Sequence, residues 1–574
     1  MARIKVVAIG VSVLSVLLFF RLFEIQVLSF DLYAGMARRQ HQGYDTIAAR
    51  RGDIVSADGK SFACSVETYS VFIDSAFVAE PEQVVYFLKN ILSLSQEKAL
   101  DVYRRIKEGK RFIWVKRQVT LREAYVVEEL GLQGVFLIKE YRRVYPLGRV
   151  GAQFVGFCDV DGGGLSGIEL FYEQYLRGVD GHYCFERDGL GRKIMLPHHS
   201  YSEPKDGATV HLTIDSVIQS IVEEEADRLV EKWKPRNVVI VVIEPRSGAV
   251  LAMATRPCFN PNNIEHITQE EMMNYATGFV YEPGSTFKVV TASALLLNKK
   301  VRVDEEIDCH NGLFFFGRRP VRDHTPHGVM SFEQVIAKSS NIGTAQFALR
   351  LTPAEQFEMI KKFGFGSPTG VDLKGEEKGI FRPLKEWSKY SQVSLAIGQE
   401  IGVTVMQMMR AFCCIANGGR LVRPHFVSRV ESPSGETVYT IEGREEEVLD
   451  EETSRTMRQV LALVVEDGTG KGAKSKYYAI GGKTGTAQQL DKKTGRYSEE
   501  EYVASFFGFA PVDAPKIVVG VVVDTPKGHS YFGGVVAAPA AKNIIEQSLM
   551  YLGVPQLIKD KEGSKNGEKK EKFE

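Results

Sequence analysis

The sequence predicts an α+β protein built on one central, mostly antiparallel sheet with helices on its faces. Residues 238–244 form a β-branched run, residues 245–248 form a turn, and residues 249–254 return as in a hairpin. Two more apolar strands are expected at 503–509 and 516–523, and helical stretches lie between the hairpin and these strands. An apolar run near the N-terminus adds a candidate membrane helix.

The composition is that of a globular protein, with 44% hydrophobic and 25% charged residues. A chain of 574 residues is expected to hold more than one domain. Lysine plus arginine equals aspartate plus glutamate, 72 each, so no overall field favours nucleic acid. The seven cysteines include no Cys-x-x-Cys pair, and their odd number excludes a complete disulfide framework. We expect the adjacent Cys413 and Cys414 to be core residues.

The N-terminal apolar run covers residues 6–20, about 23 Å as a helix, against roughly 30 Å for a bilayer core. Three interpretations compete: a cleaved signal peptide, a buried core helix and an uncleaved span. Small residues for cleavage are missing after the run, and Arg21 can reach the headgroups. We favour the span, with Arg3 and Lys5 in the cytoplasm and everything after about residue 23 outside.

Residues 31–210 have mixed patterns. Alternation predicts a strand at 69–73, helical spacing predicts helices over 82–132, and 141–146 and 161–164 have loop composition. No carboxylate pair there has a recognisable glycosyl-transfer setting, so we interpret this part as a non-catalytic pedestal.

Helix starts after residue 210 are clearer. Asp215 precedes a helical pattern at 216–233, Ser331 with Gln334 forms a capping box, and proline follows Thr352 at the first helical position. At the other end, residues 559–574 are nearly all charged or polar and predict a disordered tail.

Ser285 is the candidate nucleophile. Pro283 and Gly284 predict a turn, and an apolar helix is expected at 286–297, so Ser285 lies where helix N–H groups favour developing negative charge. Lys288 is three residues further and shares a helix face with it. A serine hydroxyl needs a neighbouring base, and a lysine serves if burial lowers its pKa.

The spacing Ser-x-x-Lys alone is weak evidence, and for a single match a solvated helix face is the usual explanation. Ser95 with Lys98 has the same spacing in a charged, surface-type helix, and Ser202 with Lys205 has it in a polar linker.

Two other stretches favour Ser285 over these matches. Lys338-Ser339-Ser340-Asn341 lies between two helical stretches, and Gly482-Lys483-Thr484-Gly485-Thr486 begins a predicted strand. Copies of these patterns at 493–495 and 564–566 lie in a polar run and in the charged tail. Only Ser285, Ser339 and Lys483 have apolar, structured surroundings, and this three-part set is similar to that of penicillin-binding proteins and class A β-lactamases.

Beyond the three triplets, the chain resembles class B penicillin-binding proteins, the peptidoglycan D,D-transpeptidases, over nearly its whole length. The segments similar to the pedestal and to the head of the catalytic domain are 51–54 with Asp58-Gly59, 143–146, 167–169, 206–207, 212–215 and 244–257. One departure is Ser56-Ala57-Asp58-Gly59, where the family has Asp-Arg-Asn-Gly. Residues 281–288, 396–399, 504–506 and 531–534 resemble the division-type enzyme most, although an elongation-type enzyme would share the catalytic set.

The resemblance implies a division of the chain and a fold. Residues 1–23 would be the cytoplasmic stub and membrane helix, 24–210 the pedestal, 211–556 a β-lactamase-like transpeptidase domain with helices on both faces of its sheet, and 557–574 the tail. It also implies a chain in the inner (cytoplasmic) membrane with its catalytic domain outside the cytoplasm.

The implied chemistry is acyl transfer through a serine acyl-enzyme. Ser285 attacks the carbonyl between the last two D-alanines of a stem peptide, and neutral Lys288 is the base. Ser339 relays the proton to the leaving amine, and Asn341 orients the acyl chain.

The remaining implied positions bind the substrate. Lys483 supplies positive potential for its terminal carboxylate, the hydroxyls of Thr484 and Thr486 bind that carboxylate, and Gly485 completes the motif. The oxyanion hole is formed by the N–H groups of Ser285 and Thr486.

The implied partners are peptidoglycan stem peptides, β-lactams as covalent inhibitors, and a polymerase with other division proteins; no cofactor, metal or nucleic acid is implied. Rival interpretations are a soluble D,D-carboxypeptidase or β-lactam hydrolase, and an inactive division scaffold. The long pedestal and the absence of a Ser-Asp-Asn form disfavour the first, and the intact triplets disfavour the second.

Overall fold

The computed structural model describes residues 2–187, 193–194, 201–441, 443, 445–490 and 497–557. The predicted tail from residue 558 onward and the motif copies at 493–495 and 564–566 lie outside the described residues. Two compact units divide the chain, and they do not follow it in order. The first unit is Met1–Gly52, Glu67–Arg142 and Arg177–Gly207, and the second is Asp53–Val66, Arg143–Leu176 and Ala208–Glu574.

Up to residue 212 the chain alternates helices and strands. The helices are Ala2–Phe23, Phe30–His41, Pro81–Ile91, Gln96–Lys107, Leu121–Glu129, Ala152–Val155, Gly167–Phe171 and Glu173–Leu176. The strands are Gln42–Ile47, Ile54–Val55, Ser61–Ile73, Ile113–Val119, Val135–Val144, Gly181–Arg187, Lys193–Ile194, Tyr201–Ser202 and Thr209–Leu212.

The first unit begins with the Ala2–Phe23 helix, which a π-helical turn, Glu24–Leu28, continues. It is the one helix among the described residues that is long and apolar enough to cross a membrane, and none of it is buried. Elsewhere in this unit, Gln42–Ile47 pairs antiparallel with Gly181–Arg187. A small core forms where the helices Pro81–Ile91 and Gln96–Lys107 pack near the Ile113–Val119 strand.

The structure corrects two predictions in this region. Helices were expected over the whole of 82–132, but Ile113–Val119 is a strand that pairs antiparallel with residues 69–73. Its buried and partly exposed positions alternate at the start, which the neighbouring helical patterns concealed. Residues 141–146 were expected to be a loop, but 141–144 are the end of the Val135–Val144 strand, which pairs with the Ser61–Ile73 strand.

From residue 216 onward helices alternate with strands in the second unit. The helices are Ser216–Trp233, Gln269–Met272, Tyr275–Gly278, Lys288–Leu297, Phe332–Ala337, Asn341–Ala348, Pro353–Lys362, Ser391–Ala396, Val405–Ala416, Glu451–Glu466, Gly533–Val536 and Ala538–Tyr551. The strands are Asn237–Ile243, Val250–Arg256, Glu306–Asp308, Leu313–Phe316, Arg319–Arg322, Val329–Ser331, Arg420–Val422, Val427–Glu431, Thr437–Thr440, Glu445–Glu447, Gly481–Leu490, Tyr497–Ala510 and Ile517–Asp524.

The central sheet of the second unit has five strands, all antiparallel to their neighbours. Their order is Val250–Arg256, Asn237–Ile243, Ile517–Asp524, Tyr497–Ala510 and Gly481–Leu490. Alternate residues of the Asn237–Ile243 strand belong to two different cores, so both faces of the sheet are covered. The predicted antiparallel sheet with helices on both faces is confirmed.

Different helices cover the two faces. Ser216–Trp233 and Ala538–Tyr551 pack in one core, and Lys288–Leu297 and Val405–Ala416 pack in the other. The Val405–Ala416 helix buries Cys413 and Cys414, as expected. The Gly481–Leu490 strand lies at the edge of the sheet, which leaves one side of it open to neighbouring segments.

Segments from before residue 177 support this unit. Arg143 and Glu169, both buried, form a 2.6 Å ion pair between Nε and Oε1, and the Tyr145 hydroxyl donates to the same carboxylate at 3.3 Å. The Asp58 carboxylate accepts from the Ser216 N–H at 3.1 Å and from its hydroxyl at 2.6 Å. The Asp58-Gly59 turn therefore anchors the start of the Ser216–Trp233 helix.

Candidate active site

Ser285 lies in a short 3₁₀ turn, Gly284–Phe287, that leads directly into the Lys288–Leu297 helix. The helix predicted at 286–297 therefore starts more tightly wound than a regular α-helix. Ser285 is half-buried, and within the described part of the chain its hydroxyl makes no hydrogen bond. The 396–399 segment fixes the position of this turn, because the Gly398 carbonyl accepts a hydrogen bond from the Gly284 N–H at 3.1 Å. The hydroxyl is thus available for chemistry on a fixed turn.

Lys288 is completely buried one turn further along. Its Nζ donates to the Ser339 carbonyl at 2.6 Å, to the Ser339 hydroxyl at 3.2 Å and to Asn341 Oδ1 at 2.8 Å. Burial lowers the pKa of Lys288 to about 7, and the negative charge of Asp323 opposes that shift. A neutral amine is therefore accessible near physiological pH.

Ser339 and Asn341 lie where the Phe332–Ala337 helix ends and the Asn341–Ala348 helix begins. Ser339 has φ +61°, which is uncommon for a residue with a side chain. This conformation lets its carbonyl and its hydroxyl both contact Lys288. Asn341 is oriented from the other side, because its Nδ2 donates to the Arg322 carbonyl at 2.9 Å. Such strain is typical of functional sites.

Lys483 reaches the same hydroxyl from the edge strand of the sheet. It is completely buried, and its Nζ donates to Ser339 Oγ at 2.8 Å and to the Thr484 carbonyl at 3.3 Å. Burial, together with the nearby Lys288 charge, lowers the pKa of Lys483 well below its usual value. Two buried amines therefore share one serine hydroxyl, and three segments far apart in the chain meet at Ser339.

The threonines beside Lys483 already have partners in this structure. Thr484 Oγ1 lies 2.6 Å from Thr469 Oγ1, and Thr486 Oγ1 accepts from the Gly533 N–H at 3.2 Å. Residues two apart on a strand point to the same face, so the two threonine side chains lie on one face of the edge strand. Gly533 belongs to the 531–534 segment that resembled the division-type enzyme.

Gly485 brings the edge strand close to the Gly284–Phe287 turn, which carries Ser285. A Cβ added to Gly485 would lie 2.4 Å from Ser505 Oγ, 2.9 Å from Thr286 Cγ2 and 3.1 Å from the Pro283 carbonyl oxygen. We predict that Gly485→Ala destabilises the second unit by about 1–3 kcal/mol and slows acylation of Ser285, because the strand must move away from the turn.

Thermal unfolding and the rate of labelling by a fluorescent penicillin measure the two effects of Gly485→Ala. The matched control is Gly443→Ala, because Gly443 is exposed and a Cβ there would meet nothing within 4 Å. Equal labelling rates in the two variants would contradict the role assigned to this close approach.

Asp323 is a site residue that the sequence did not reveal. Its Oδ1 accepts from the N–H groups of Asn341 at 2.6 Å and Ile342 at 2.9 Å, and its Oδ2 accepts from the Ser340 hydroxyl at 2.5 Å. The carboxylate thereby caps the helix that carries Asn341 and places a negative charge near Lys288. No local spacing relates Asp323 to this helix, so only the structure identifies it.

We predict that Asp323→Asn shifts the pH midpoint of acylation to lower pH. Asp323 raises the pKa of Lys288, so removing its charge lets that pKa fall further. Losing the charged cap also destabilises the second unit by about 1 kcal/mol. A pH–rate profile of penicillin labelling checks the shift, with the exposed Asp513→Asn as control; a midpoint that rises would contradict it.

Comparison with known proteins identifies the family. The family model "Penicillin-binding Protein dimerisation domain" matches residues 46–212, and "Penicillin binding protein transpeptidase domain" matches residues 238–546. The chain is a class B penicillin-binding protein.

Curated relatives agree with this assignment. "Stage V sporulation protein D" of Bacillus subtilis is 34% identical over 93% of this chain and 83% of the relative. "Probable peptidoglycan D,D-transpeptidase PenA" of Neisseria meningitidis serogroup A is 30% identical over 96% of this chain and 93% of the relative. Among solved structures, penicillin binding protein 3 of Mycobacterium tuberculosis in complex with aztreonam is 29% identical, with a TM-score of 0.70 over 89% of this chain and 98% of that one.

This class B penicillin-binding protein is a serine-type D-Ala-D-Ala transpeptidase that acts on peptidoglycan and binds β-lactams. Its apolar first helix makes it a membrane-anchored protein. Hydrogen bonds join five of the eight site residues expected from the sequence into one cluster. Lys288 and Lys483 both bond to Ser339, Lys288 also bonds to Asn341, and Lys483 also bonds to the Thr484 carbonyl. Ser285, Gly485 and Thr486 adjoin this cluster, because the edge strand comes close to the Gly284–Phe287 turn.

Proposed function

We propose that Ser285 is the nucleophile of this transpeptidase and that Lys288, Ser339 and Lys483 carry its protons and charge. The observation that carries the proposal is the position of the Ser339 hydroxyl, 3.2 Å from Lys288 Nζ and 2.8 Å from Lys483 Nζ. A hydroxyl held between two amines of lowered pKa can pass a proton from one to the other.

In the proposed acylation, Ser285 Oγ attacks the carbonyl between the last two D-alanines of a stem peptide. Lys288 takes the hydroxyl proton in its neutral form, and Ser339 delivers a proton to the departing amine of the terminal D-alanine. Asn341 keeps Lys288 oriented through its Oδ1 and offers its amide to the acyl chain.

The positive group of the site is Lys483. An anionic substrate carboxylate beside it favours the ammonium form, which burial otherwise disfavours. The N–H groups of Ser285 and Thr486 form the proposed oxyanion hole, and losing one such donor costs about 10²–10³ in rate. The Thr484 and Thr486 hydroxyls exchange their present partners for the carboxylate.

Deacylation uses an amine of a neighbouring stem peptide, whose attack on the acyl-enzyme forms the cross-link and frees Ser285. A β-lactam imitates the D-alanyl-D-alanine end and acylates the same hydroxyl. We therefore expect a stable penicillin adduct on Ser285, found by intact mass and peptide mapping of the full-length chain in detergent. Rapid penicillin turnover without an adduct would favour a hydrolase, and no reaction at all would favour a scaffold.

The proposed topology puts Arg3 and Lys5 in the cytoplasm and the catalytic domain outside the inner membrane, following the positive-inside rule. We propose the domain boundaries 24–210 for the pedestal and 211–556 for the transpeptidase domain, with a charged tail after residue 556. Protease digestion of intact spheroplasts tests the topology, because external protease should release the catalytic domain.

The proposed cellular role is cross-linking of the septal wall, in a complex with a glycan polymerase and other division proteins. It is supported by the resemblance of the 281–288 turn and of the 531–534 segment, both of which contact the Lys483 strand. The sporulation name of one relative supports a second candidate, a transpeptidase of spore formation. Depletion during vegetative growth separates them: filaments indicate a septal role, rounded cells an elongation role, and normal growth a role confined to sporulation.

A further inference from the structure

A cavity of about 560 Å³ lies in the second unit at the end of the Pro353–Lys362 helix. Its lining includes none of Ser285, Lys288, Ser339 and Lys483, so it is separate from the candidate active site. Its charged lining is Lys361, Lys362, Arg410, Arg423 and Glu446, four cations against one carboxylate. A volume of this size is typical of small-molecule sites, which cover roughly 300–1,000 Å³.

Arg410 is the central feature of the cavity. It lies on the Val405–Ala416 helix, whose other residues are all buried, and its Nε donates to the Val422 carbonyl at 2.9 Å. Within the part of the chain that the structure describes, neither of its Nη atoms makes a hydrogen bond or an ion pair. Burial lowers the pKa of Arg410, and the charges of Glu446 and Glu376 offset that only partly. A largely buried guanidinium without an ion-paired carboxylate is costly, so an anion bound beside Arg410 would stabilise it.

Gly364 keeps Arg410 open to the cavity. It has φ +81° at the end of the Pro353–Lys362 helix, where glycine is common, and a Cβ there would lie 2.7 Å from Arg410 Nη1. The absence of a side chain thus leaves Nη1 accessible from the cavity.

Favourable interaction with a helix dipole explains only part of the positive charge in the cavity. Lys361 and Lys362 are in the last turn of a helix, where the helix dipole favours cations. Arg410 and Arg423 come from other segments, and Arg423 is fixed by a 2.5 Å hydrogen bond from its Nε to the Gly370 carbonyl. Both arginines are fixed through Nε, which leaves their Nη atoms to donate to a ligand. Together with the two lysines, these donors match an oxyanion that has several acceptor atoms.

We propose that this cavity binds a phosphate group of a small molecule or of a lipid headgroup. The lining has four cations and one carboxylate, a net charge of +3. A tetrahedral phosphate, doubly charged as a monoester and singly charged as a lipid diester, offers these cations acceptor oxygens in more directions than a planar carboxylate does. The volume beyond the phosphate accommodates the rest of the molecule, with Glu446 at the exposed rim as an acceptor for its hydroxyl groups.

The test is isothermal titration calorimetry of the full-length chain in detergent micelles, with inorganic phosphate and glycerol 3-phosphate as probes at constant ionic strength. We expect saturable binding that weakens about tenfold in Arg423→Gln and in Lys362→Gln, since each removes one charge-assisted contact. The matched control is Arg455→Gln, an exposed arginine on the Glu451–Glu466 helix, which should leave the affinity unchanged. Penicillin labelling of every variant verifies that the active site remains folded.

A second arm distinguishes the two phosphate sources by incorporating the chain into phosphatidylglycerol or phosphatidylcholine nanodiscs. Loss of glycerol-phosphate binding only in phosphatidylglycerol indicates that the lipid headgroup occupies the site, and retained binding in both indicates a soluble ligand; either outcome supports the proposal. No saturable binding in micelles, equal affinity in Arg423→Gln and the parent chain, or acetate binding as tightly as phosphate would overturn it.

Discussion

Ser285→Ala is expected to abolish penicillin labelling and to reduce cross-linking by about 10⁶-fold, the loss typical of a serine acyl-transfer enzyme without its nucleophile. In the proposed mechanism the Ser285 hydroxyl takes up the acyl group, and the neighbouring Ser339 hydroxyl cannot replace it, since two lysines hold that hydroxyl. Folding should be unaffected, because the Ser285 side chain is half-buried and makes no hydrogen bond within the described residues. Labelling by a fluorescent penicillin and analysis of cross-linked muropeptides measure the loss.

The chain offers a matched control for this substitution. Ser95 has the same spacing to Lys98, but the structure places it at the exposed start of the Gln96–Lys107 helix, where its hydroxyl accepts from the Lys98 N–H at 3.2 Å. Ser95→Ala should lose that helix cap and keep full labelling. If Ser285→Ala cells still divide and cross-link their septa normally, a scaffold role replaces the enzymatic one.

The second large effect concerns the protonation of Lys288. Since burial lowers the pKa of Lys288 to about 7, its amine is protonated and inactive as a base below that pH. The acylation rate should therefore rise about tenfold per pH unit up to pH ~7 and level off above it. Lys288→Arg should lower the plateau by about 10²–10⁴-fold and remove the inflection, because a guanidinium keeps its proton at every pH of the assay.

Two further variants isolate the role of Lys288. Lys98→Arg, on the Gln96–Lys107 helix of the first unit, changes the same residue type and should leave the profile intact. Lys483→Arg retains the positive charge and should weaken substrate binding while the inflection near pH 7 remains. A profile that Lys288→Arg leaves unchanged but Lys483→Arg removes would assign the base to Lys483, which also contacts Ser339.

The sequence predicted correctly those helix starts and turns that depend on residues close together in the chain. Asp215 does cap the Ser216–Trp233 helix, the predicted capping box at Ser331 has both reciprocal hydrogen bonds, and Pro353 begins the helix that follows Thr352. The hairpin of Asn237–Ile243 and Val250–Arg256 also has the predicted antiparallel pairing. Caps, turns and β-branched runs act within a few residues, so one chain segment contains the whole signal.

Elements decided by distant partners were predicted less well. Ile113–Val119 was expected to be helical, but it pairs with residues 69–73, which lie 40–50 positions earlier in the chain. No sequence motif identifies Asp323, because its role comes from accepting hydrogen bonds from the first N–H groups of the Asn341–Ala348 helix. The position of Arg410 beside Gly364 is likewise invisible in the sequence.

The sequence by itself indicated the family and the reaction class, through its resemblance to known members, and it named the candidate residues of three short motifs. Only the tertiary structure decided that Ser339 bridges Lys288 and Lys483, and that both amines are buried deeply enough for their pKa values to fall. The physical reason is that a motif specifies which groups are available, whereas distance and desolvation, which set proton affinity, arise from packing between segments far apart in the chain.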